Sequence, residues 1–506
     1  MVKTAFLYPA NEQHEVLKMF GSRNNSPSQS ETAVSAPRLT SQLFPSTKAH
    51  TAPKLELLDA LVNIGSSKGI NFKNTLFVGV QHILETTATL FQSLISLESQ
   101  PERMFFSGKC YSTSPTVAEA VKDLGLQLMP DLFPSTPGQY QAACRQGVRS
   151  MWNRAEEYLE THKDVETIII VDDGGRCLEE MPTHLRFKYK VAGIEQTRGG
   201  LYSPALQSLP FPLLEPATSA AKRHIESPFI SSAIINRLKS FLPTTELKKD
   251  TIYGIIGNGA IGDAVVSHLL NEGHTVIIYD KDASSLLQST PKEKFFKCSS
   301  IEALIENADC IFGCTGADIT EKVDIVNLAR RQKTIISATS EDKEVLTLLR
   351  TLADYGVKPS SPFDNIIYET ESGAKLVIAN GGFPFNFDRR PWNVPAHDIE
   401  LTQGLMLISC MEGQLRASKP ADSTLTCSNR YMLSPTLQRL AVDFWQKRHA
   451  DGRYPEELLT RDFQSIEWIK SQSGNGLCHT ATEELFSDVA SITQGLATFN
   501  SESPHL

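Results

Sequence analysis

The chain has 506 residues, 41% of them hydrophobic and 21% charged, with 9 cysteines and a formal charge of −9. That length calls for more than one folded unit, since domains run to about 100–200 residues. The composition excludes global disorder, a collagen-like chain and a disulfide mini-scaffold. Net negative charge argues against nucleic acid as the main partner, and no apolar run approaches the ~20 residues of a bilayer span. The opening Met1–Pro9 is too short and too soon broken by proline for a secretory signal. The cysteines are odd in number and scattered without a CxxC pair, which fits a reduced, cytoplasmic compartment. Cys310 and Cys314 bracket apolar Ile311-Phe312 and are expected to be small core residues, with no metal.

In chain order, residues 1–21 form an N-terminal segment. Residues 22–53, rich in Ser, Thr, Asn, Pro and Ala, read as a disordered linker. Globular patterning begins at 54. Asn74–Gly79, Arg103–Ser107 and Thr167–Val171 read as buried strands. Residues His82–Leu97, Pro115–Leu124 and Tyr140–His162 have helical spacing. Strands alternating with helices imply an α/β, doubly wound, mainly parallel sheet over 54–235. A helix over Glu226–Leu242 leads into a second alternating unit, 236–355. Residues 356–417 return to the first domain through an irregular stretch, Asn380–Pro391, and a helix over Asp398–Leu415. Residues 418–506 open with a linker and continue as a C-terminal helical extension.

The second unit carries the sharpest local signal. Strand-like Thr251–Ile256 runs into Gly257-Asn258-Gly259-Ala260-Ile261-Gly262, then a helical run, then the strand His274–Tyr279 ending at Asp280. Gly257 allows the tight turn, Gly259 lets backbone approach a pyrophosphate, and Gly262 lets helix and strand pack closely. The helix start, at Ala260 and Ile261, offers unpaired N–H groups to phosphate. Asp280 is placed to accept from adenosine ribose hydroxyls and to repel a 2′-phosphate, which favours NAD over NADP, while Lys281 beside it tempers the preference. A later strand, Asp309–Gly313, ends in Cys314-Thr315-Gly316. Thr315 and Gly316 read either as nicotinamide-side contacts or as a plain strand-to-helix turn.

Several separate segments match one family in order. His82-Ile83-Leu84-Glu85-Thr86-Thr87-Ala88, Cys110–Thr113, Val171–Gly175, Gly193–Thr197, Ser219–Lys222, the Gly257 loop and Cys314–Gly316 together resemble S-adenosylhomocysteine hydrolase. Enzymes of that family hold NAD, oxidise a nucleoside 3′-hydroxyl, eliminate a thioether, add water and reduce the ketone back. The resemblance implies a substrate domain split in sequence by an inserted Rossmann domain, a nucleoside-type substrate and a homo-oligomer. It implies that His82 and Asp173 handle protons at the leaving-group end and that Lys222 assists oxidation at the sugar hydroxyl. Thr197 is matched to the cofactor side. From local sequence alone Asp173 reads equally well as a turn carboxylate capping a helix.

Other positions depart from the family. Gln196 stands for a glutamate, Glu226 for the aspartate that partners the lysine, and Ser227 and Ala217 each for an asparagine. Ser337–Asp342 replaces the Gly-His-Phe-Asp segment, and the family's cofactor-reaching tail has no counterpart in Pro435–Leu506. Asn380 and Asn386 are candidates for the nicotinamide carboxamide or substrate, and Phe383, Phe385 and Phe387 for core anchors. The leading expectation is an adenosylhomocysteinase-like hydrolase using bound NAD on S-adenosylhomocysteine or a relative. A non-catalytic NAD-binding regulatory protein stands beside it. An NAD-dependent dehydrogenase ranks last, because Arg389, Arg390 and His397 lack that group's spacing.

Overall fold

A computed structural model describes residues 52–449 apart from 132, 135, 220, 242–249, 283–292, 324–327, 358, 360, 362, 371, 419–428 and 434. The linker expected over 22–53 lies almost wholly outside the described residues, as does the extension beyond His449. The first stretch of chain forms α1 (Glu56–Ser67), β1 (Thr75–Gln81), α2 (Glu85–Ser96), β2 (Met104–Gly108), α3 (Pro115–Asp123), β3 (Gln127–Met129), α4 (Tyr140–Thr161), β4 (Thr167–Asp172), β5 (Lys190–Glu195), β6 (Leu213–Leu214) and α5 (Ser227–Phe241). Next come β7 (Ile252–Ile256), α6 (Ala260–Asn271), β8 (Thr275–Tyr279), β9 (Phe295–Lys297), α7 (Ile301–Asn307), β10 (Cys310–Gly313), β11 (Lys333–Ser337), α8 (Leu346–Asp354), β12 (Ile366–Glu369) and β13 (Lys375–Ile378). The chain then continues through α9 (Ala396–Ala417), β14 (Arg430–Tyr431) and α10 (Pro435–His449).

The fold is α/β, with two mainly parallel sheets in two units, the second inserted into the first. The first unit takes residues 52–134, Gln139–Ala233 and the described chain from Phe387. Its sheet runs β14-β6-β5-β4-β1-β2-β3 with every pairing parallel. The central strands, Thr-Leu-Phe-Val-Gly-Val-Gln and Thr-Ile-Ile-Ile-Val-Asp, are buried at every position. Unbroken apolar runs suit strands covered on both faces. One face packs against α1, α2, α9 and α10, the other against α4. Helix α9 is buried along most of its length, so its polar residues need partners. Glu400, for example, accepts the backbone N–H of Leu57 at 2.8 Å at the start of α1.

The second unit, Ile234–Asn386, has the sheet order β12-β13-β11-β10-β7-β8-β9. All pairings are parallel except β12 with β13. Strand order therefore reverses between β7 and β10, which creates the crevice where open α/β sheets take ligands. The β12–β13 hairpin was not anticipated from sequence. It turns at Ser372-Gly373, where Gly373 has φ +80°. Helix α2 also begins later than the spacing suggests. Residues His82–Leu84 remain extended: the carbonyl of Gln81 accepts the Lys109 N–H, that of Ile83 accepts Ser114, and Glu85 donates to Pro391. This keeps His82 at the carboxyl end of β1. Among the described residues no helix is long and apolar enough to cross a membrane.

Gly79 lies at the centre of the first sheet. A Cβ there would collide with the Val171 carbonyl and stand 2.8 Å from the Phe106 ring. Gly79→Ala is expected to destabilise the protein by about 1–3 kcal/mol through overpacking, read as a lower denaturant midpoint at unchanged slope.

Candidate functional site

The carboxyl ends of β1, β4 and β5 bring together most of the polar residues singled out in the first unit. β4 ends in Asp172-Asp173-Gly174-Gly175, with Gly174 at φ 110° and Gly175 at φ 80°. That left-handed pair is open to glycine at no steric cost, and it turns the two aspartates to different tasks. Asp172 accepts the N–H groups of Asp173 and Leu178, each at 3.0 Å. It is the capping carboxylate of the short helix that follows. Asp173 instead faces side chains: His82 Nε2 at 3.1 Å, the ammonium of Lys109 and the amide of Gln196.

The electrostatics follow from burial. Burial works to raise the Asp173 pKa, but the charges of Lys109 and His82 and their hydrogen bonds outweigh it and hold the carboxyl well below the usual range. Burial lowers His82 below the ordinary histidine value, helped by the Lys109 and Lys222 charges and opposed by Asp173. His82 keeps 19% of its side chain exposed. Its Nδ1 lies 2.5 Å from Ser112 Oγ, and Phe387 stacks on the ring at 4.5 Å between centroids. With Nε2–H donating to Asp173 and Nδ1 facing a hydroxyl, the ring is fixed as one neutral tautomer. Asp172 and Glu195 are both raised, by burial first and then by neighbouring carboxylates. One ionised carboxylate thus stands among carboxyls pushed toward the acid form.

Lys222 and Glu226 lie in a single π-helical turn leading into α5, with Nζ 2.9 Å from the carboxylate. Such turns inside helices recur at functional sites. The extra methylene of Glu226 still closes the ion pair. Thr197 sits at the end of β5, its hydroxyl donating to Glu195 at 2.5 Å and accepting the Gly200 N–H at 3.1 Å. Lys109 was missed in the sequence. In Ser107-Gly-Lys-Cys-Tyr-Ser112 it has the look of a surface lysine, yet it is 1% exposed.

In the second unit the glycine loop has the shape a dinucleotide needs. Gly257 has φ +103°, and a Cβ there would lie 2.8 Å from the Cys314 carbonyl. A Cβ on Gly262 would strike the Gly257 carbonyl, while Gly259 opens on free space. Helix α6 begins at Ala260 with no side-chain cap, and Gly259 and Ala260 are exposed, Ile261 half-buried. That leaves the first-turn N–H groups for an anion. Asp280 is half-buried and accepts the Asn258 N–H at 2.6 Å and the Asp282 N–H at 2.8 Å, so it braces the loop with capacity left on both oxygens. Thr315 and Gly316 end β10 on the other side of the strand reversal and are exposed.

Asn380 is accounted for within the same unit. It accepts from Arg237 at 3.1 Å and its amide donates to the Phe383 and Pro384 carbonyls, at φ 54°. It therefore pins its own loop. Phe383 and Phe385 are buried core residues, as are Cys310 and Cys314.

With this geometry in hand, comparison with known proteins bears on the second unit. Residues 252–357 match the family described as the NAD binding domain of 6-phosphogluconate dehydrogenase. An uncharacterized protein of Mycobacterium tuberculosis, found in two strains, is 27% identical over 342 residues, 66% of this chain and 63% of the relative. The chain thus spans less than two thirds of the length of the curated relatives it matches. Among solved structures, the A chain of dipicolinate synthase from Bacillus subtilis is 9% identical over 69% of this chain and 97% of its own, with a TM-score of 0.33. An NADPH-dependent glyoxylate/hydroxypyruvate reductase from Sinorhizobium meliloti is 12% identical over 61% and 88%, with a TM-score of 0.31. The protein carries an NAD(P)-binding Rossmann domain. The likeness to S-adenosylhomocysteine hydrolase rests on the ordered motifs of the sequence alone.

Two measurements test the cluster of the first unit. In an NMR titration the His82 imidazole should titrate below the ordinary histidine value of about 6.5. Because its folded pKa is depressed, stability present above the unfolded value of about 6.5 falls as pH drops through the folded one. Lys109→Met removes a cation that lowers His82, so the His82 midpoint should move up. Breaking this buried pair should also cost about 3–5 kcal/mol.

Proposed function

We propose that the protein is an NAD(P)-dependent oxidoreductase-type enzyme acting on a hydroxyl or carbonyl of a small polar substrate. When bound, the dinucleotide supplies hydride acceptance and return. The glycine loop, the start of α6 and Asp280 would hold it, and the shapes at Gly257, Gly259 and Gly262 fit that group. The observation that carries the reading is a proton-handling cluster at the sheet edge of a chain that also has this cradle. Lys222, paired with Glu226, is the base for a substrate hydroxyl. His82 exchanges a proton, and Asp173, fixed as an anion by Lys109, orients the imidazole and stabilises its cationic form. Asp173 in this arrangement is an electrostatic partner, since so acidic a carboxyl holds no proton to give near neutral pH.

A finer form of the proposal is redox-neutral chemistry of the adenosylhomocysteinase kind on a nucleoside, with the same NAD retained through the cycle. It is favoured by the order of the matching motifs and by survival of His82, Asp173 and Lys222. The third reading, a non-catalytic NAD-binding regulator, differs in one outcome: Lys222→Ala would leave its cellular function intact.

Denaturing the purified protein and identifying released nucleotide by mass spectrometry should yield NAD or NADP. Gly257→Ala, forced against a positive φ and the Cys314 carbonyl, should reduce dinucleotide binding at least about tenfold, the equivalent of 1.4 kcal/mol. Net accumulation of free NADH or NADPH with substrate supports the dehydrogenase form. Turnover of thioether nucleosides without it supports the redox-neutral form. Purified protein with no bound nucleotide and no affinity for one would overturn all three.

A further inference from the structure

Glu344 is fully buried, follows the end of β11, and sends its side chain to the turn after β10. Oε1 accepts the backbone N–H groups of Thr315 at 2.8 Å and Gly316 at 2.5 Å and the Thr339 hydroxyl at 2.6 Å. Oε2 accepts the Thr315 hydroxyl at 3.1 Å. Room for the carboxylate exists because residue 313 is glycine: a Cβ there would strike it. One side chain therefore ties two turns, and both stand at carboxyl ends of the strands just beyond the order reversal. Asp280 and the glycine loop belong to the opposite half. A dinucleotide lying across such a reversal with its adenosine toward Asp280 brings its nicotinamide half to the turns that Glu344 ties.

We propose that Glu344 is the positioning residue for the nicotinamide half of the dinucleotide, locking the turns after β10 and β11 together, and that its ionisation is coupled to the charge of the nicotinamide ring. The inference rests on the cofactor reading above. Its physical basis is the company the carboxylate keeps. From β10 the titratable group facing it is the Cys314 thiol, itself pushed up by burial and then by Glu344. The turn after β11 offers the Thr339 hydroxyl. On its own segment Lys343 pairs with Glu341 at 3.0 Å, and Asp342 is buried. Burial pushes Glu344 up to about 7, against the hydrogen bonds from Thr339, Gly316 and Thr315. It therefore exchanges between acid and carboxylate near neutral pH.

A cationic oxidised ring favours the carboxylate, and the displaced proton goes to solvent. The uncharged reduced ring displaces none. By linkage the oxidised cofactor binds more tightly as pH rises through about 7, by about tenfold for each unit that it lowers the Glu344 pKa, while the reduced form shows no such slope.

The test is isothermal titration calorimetry of the full chain with NAD⁺ and NADH, or with the phosphorylated pair if that is the form released on denaturation. Each is run at pH 7 in phosphate and in Tris. Fractional proton release with the oxidised cofactor alone is the expected result. Glu344→Gln should bind both forms with neither proton release nor a pH slope. Amide exchange at Thr315 and Gly316 should be faster in that variant while the rest of the unit is unchanged. Proton release that is equal for the two redox forms, or absent for both in the wild-type protein, overturns the coupling and leaves the cofactor reading standing. Unchanged exchange at the two amides overturns the positioning role. Failure of either dinucleotide to bind overturns the cofactor reading and the inference with it. The wild-type calorimetry decides the coupling even if the variant does not fold.

Discussion

A carboxylate that stays charged inside a protein needs a counter-charge in contact with it, and the end of β4 is arranged around that requirement. Asp173 is 2% exposed. It keeps its charge because the Lys109 ammonium, the Gln196 amide and the His82 imidazole all converge on its two oxygens. Lys109 is as deeply buried as its partner and equally dependent on it. The neighbouring acids then follow. Burial first, and then the neighbouring carboxylates, push Asp172 and Glu195 toward the neutral acid, and Asp172 spends its oxygens on backbone N–H groups. The orientation of His82 and the presence of a lasting anion at the end of β4 both depend on that ion pair.

The second unit meets the same problem differently. Glu344 is also buried at the carboxyl edge of a parallel sheet, but neutral donors surround it: two backbone N–H groups and two hydroxyls. Hydrogen bonds alone hold a carboxylate less firmly in its charged form than a buried ammonium does. One site is therefore a fixed charge and the other an exchangeable one. The contrast matters chemically, because a fixed anion is suited to orienting and stabilising a neighbour, whereas an exchangeable group responds to what binds beside it.

How much of this was legible depended on the range over which each feature is determined. The glycine loop, α6 and Asp280 form one continuous stretch, so residue types at fixed spacing exposed the cradle directly. The α/β alternation was equally plain in Thr167–Val171 and Thr251–Ile256, whose apolar runs have no other use. Lys109 and Glu344 were invisible for the opposite reason. Lys109 follows a glycine at a strand end, and Glu344 closes the charged run Glu341-Asp342-Lys343-Glu344. Both patterns normally mean a solvated surface, and only the parallel register of β1 with β2 and of β10 with β11 turns them inward. Asn380 was noticed, but its partner Arg237 lies 143 residues earlier. The β12–β13 hairpin was hidden because Ile366–Glu369 and Lys375–Ile378 are too short for periodicity to distinguish.

The insertion has a consequence for how the chain is made. The first unit completes its sheet edge by pairing β6 with β14 and its core with α9 and α10, and β14, α9 and α10 emerge only after the inserted unit has been synthesised. The inserted unit is continuous in sequence apart from a few residues and has its own core. On a ribosome, where domains fold in the order their chains are finished, the inserted unit reaches its native state first. The apolar faces of α1 and α2, with Leu57, Leu61 and Phe91, meanwhile await their partner helix. Synthesis passes through an interval in which the first unit is exposed to chaperones and the inserted unit is already closed. Variants that slow the second unit would therefore appear first as aggregation of the first.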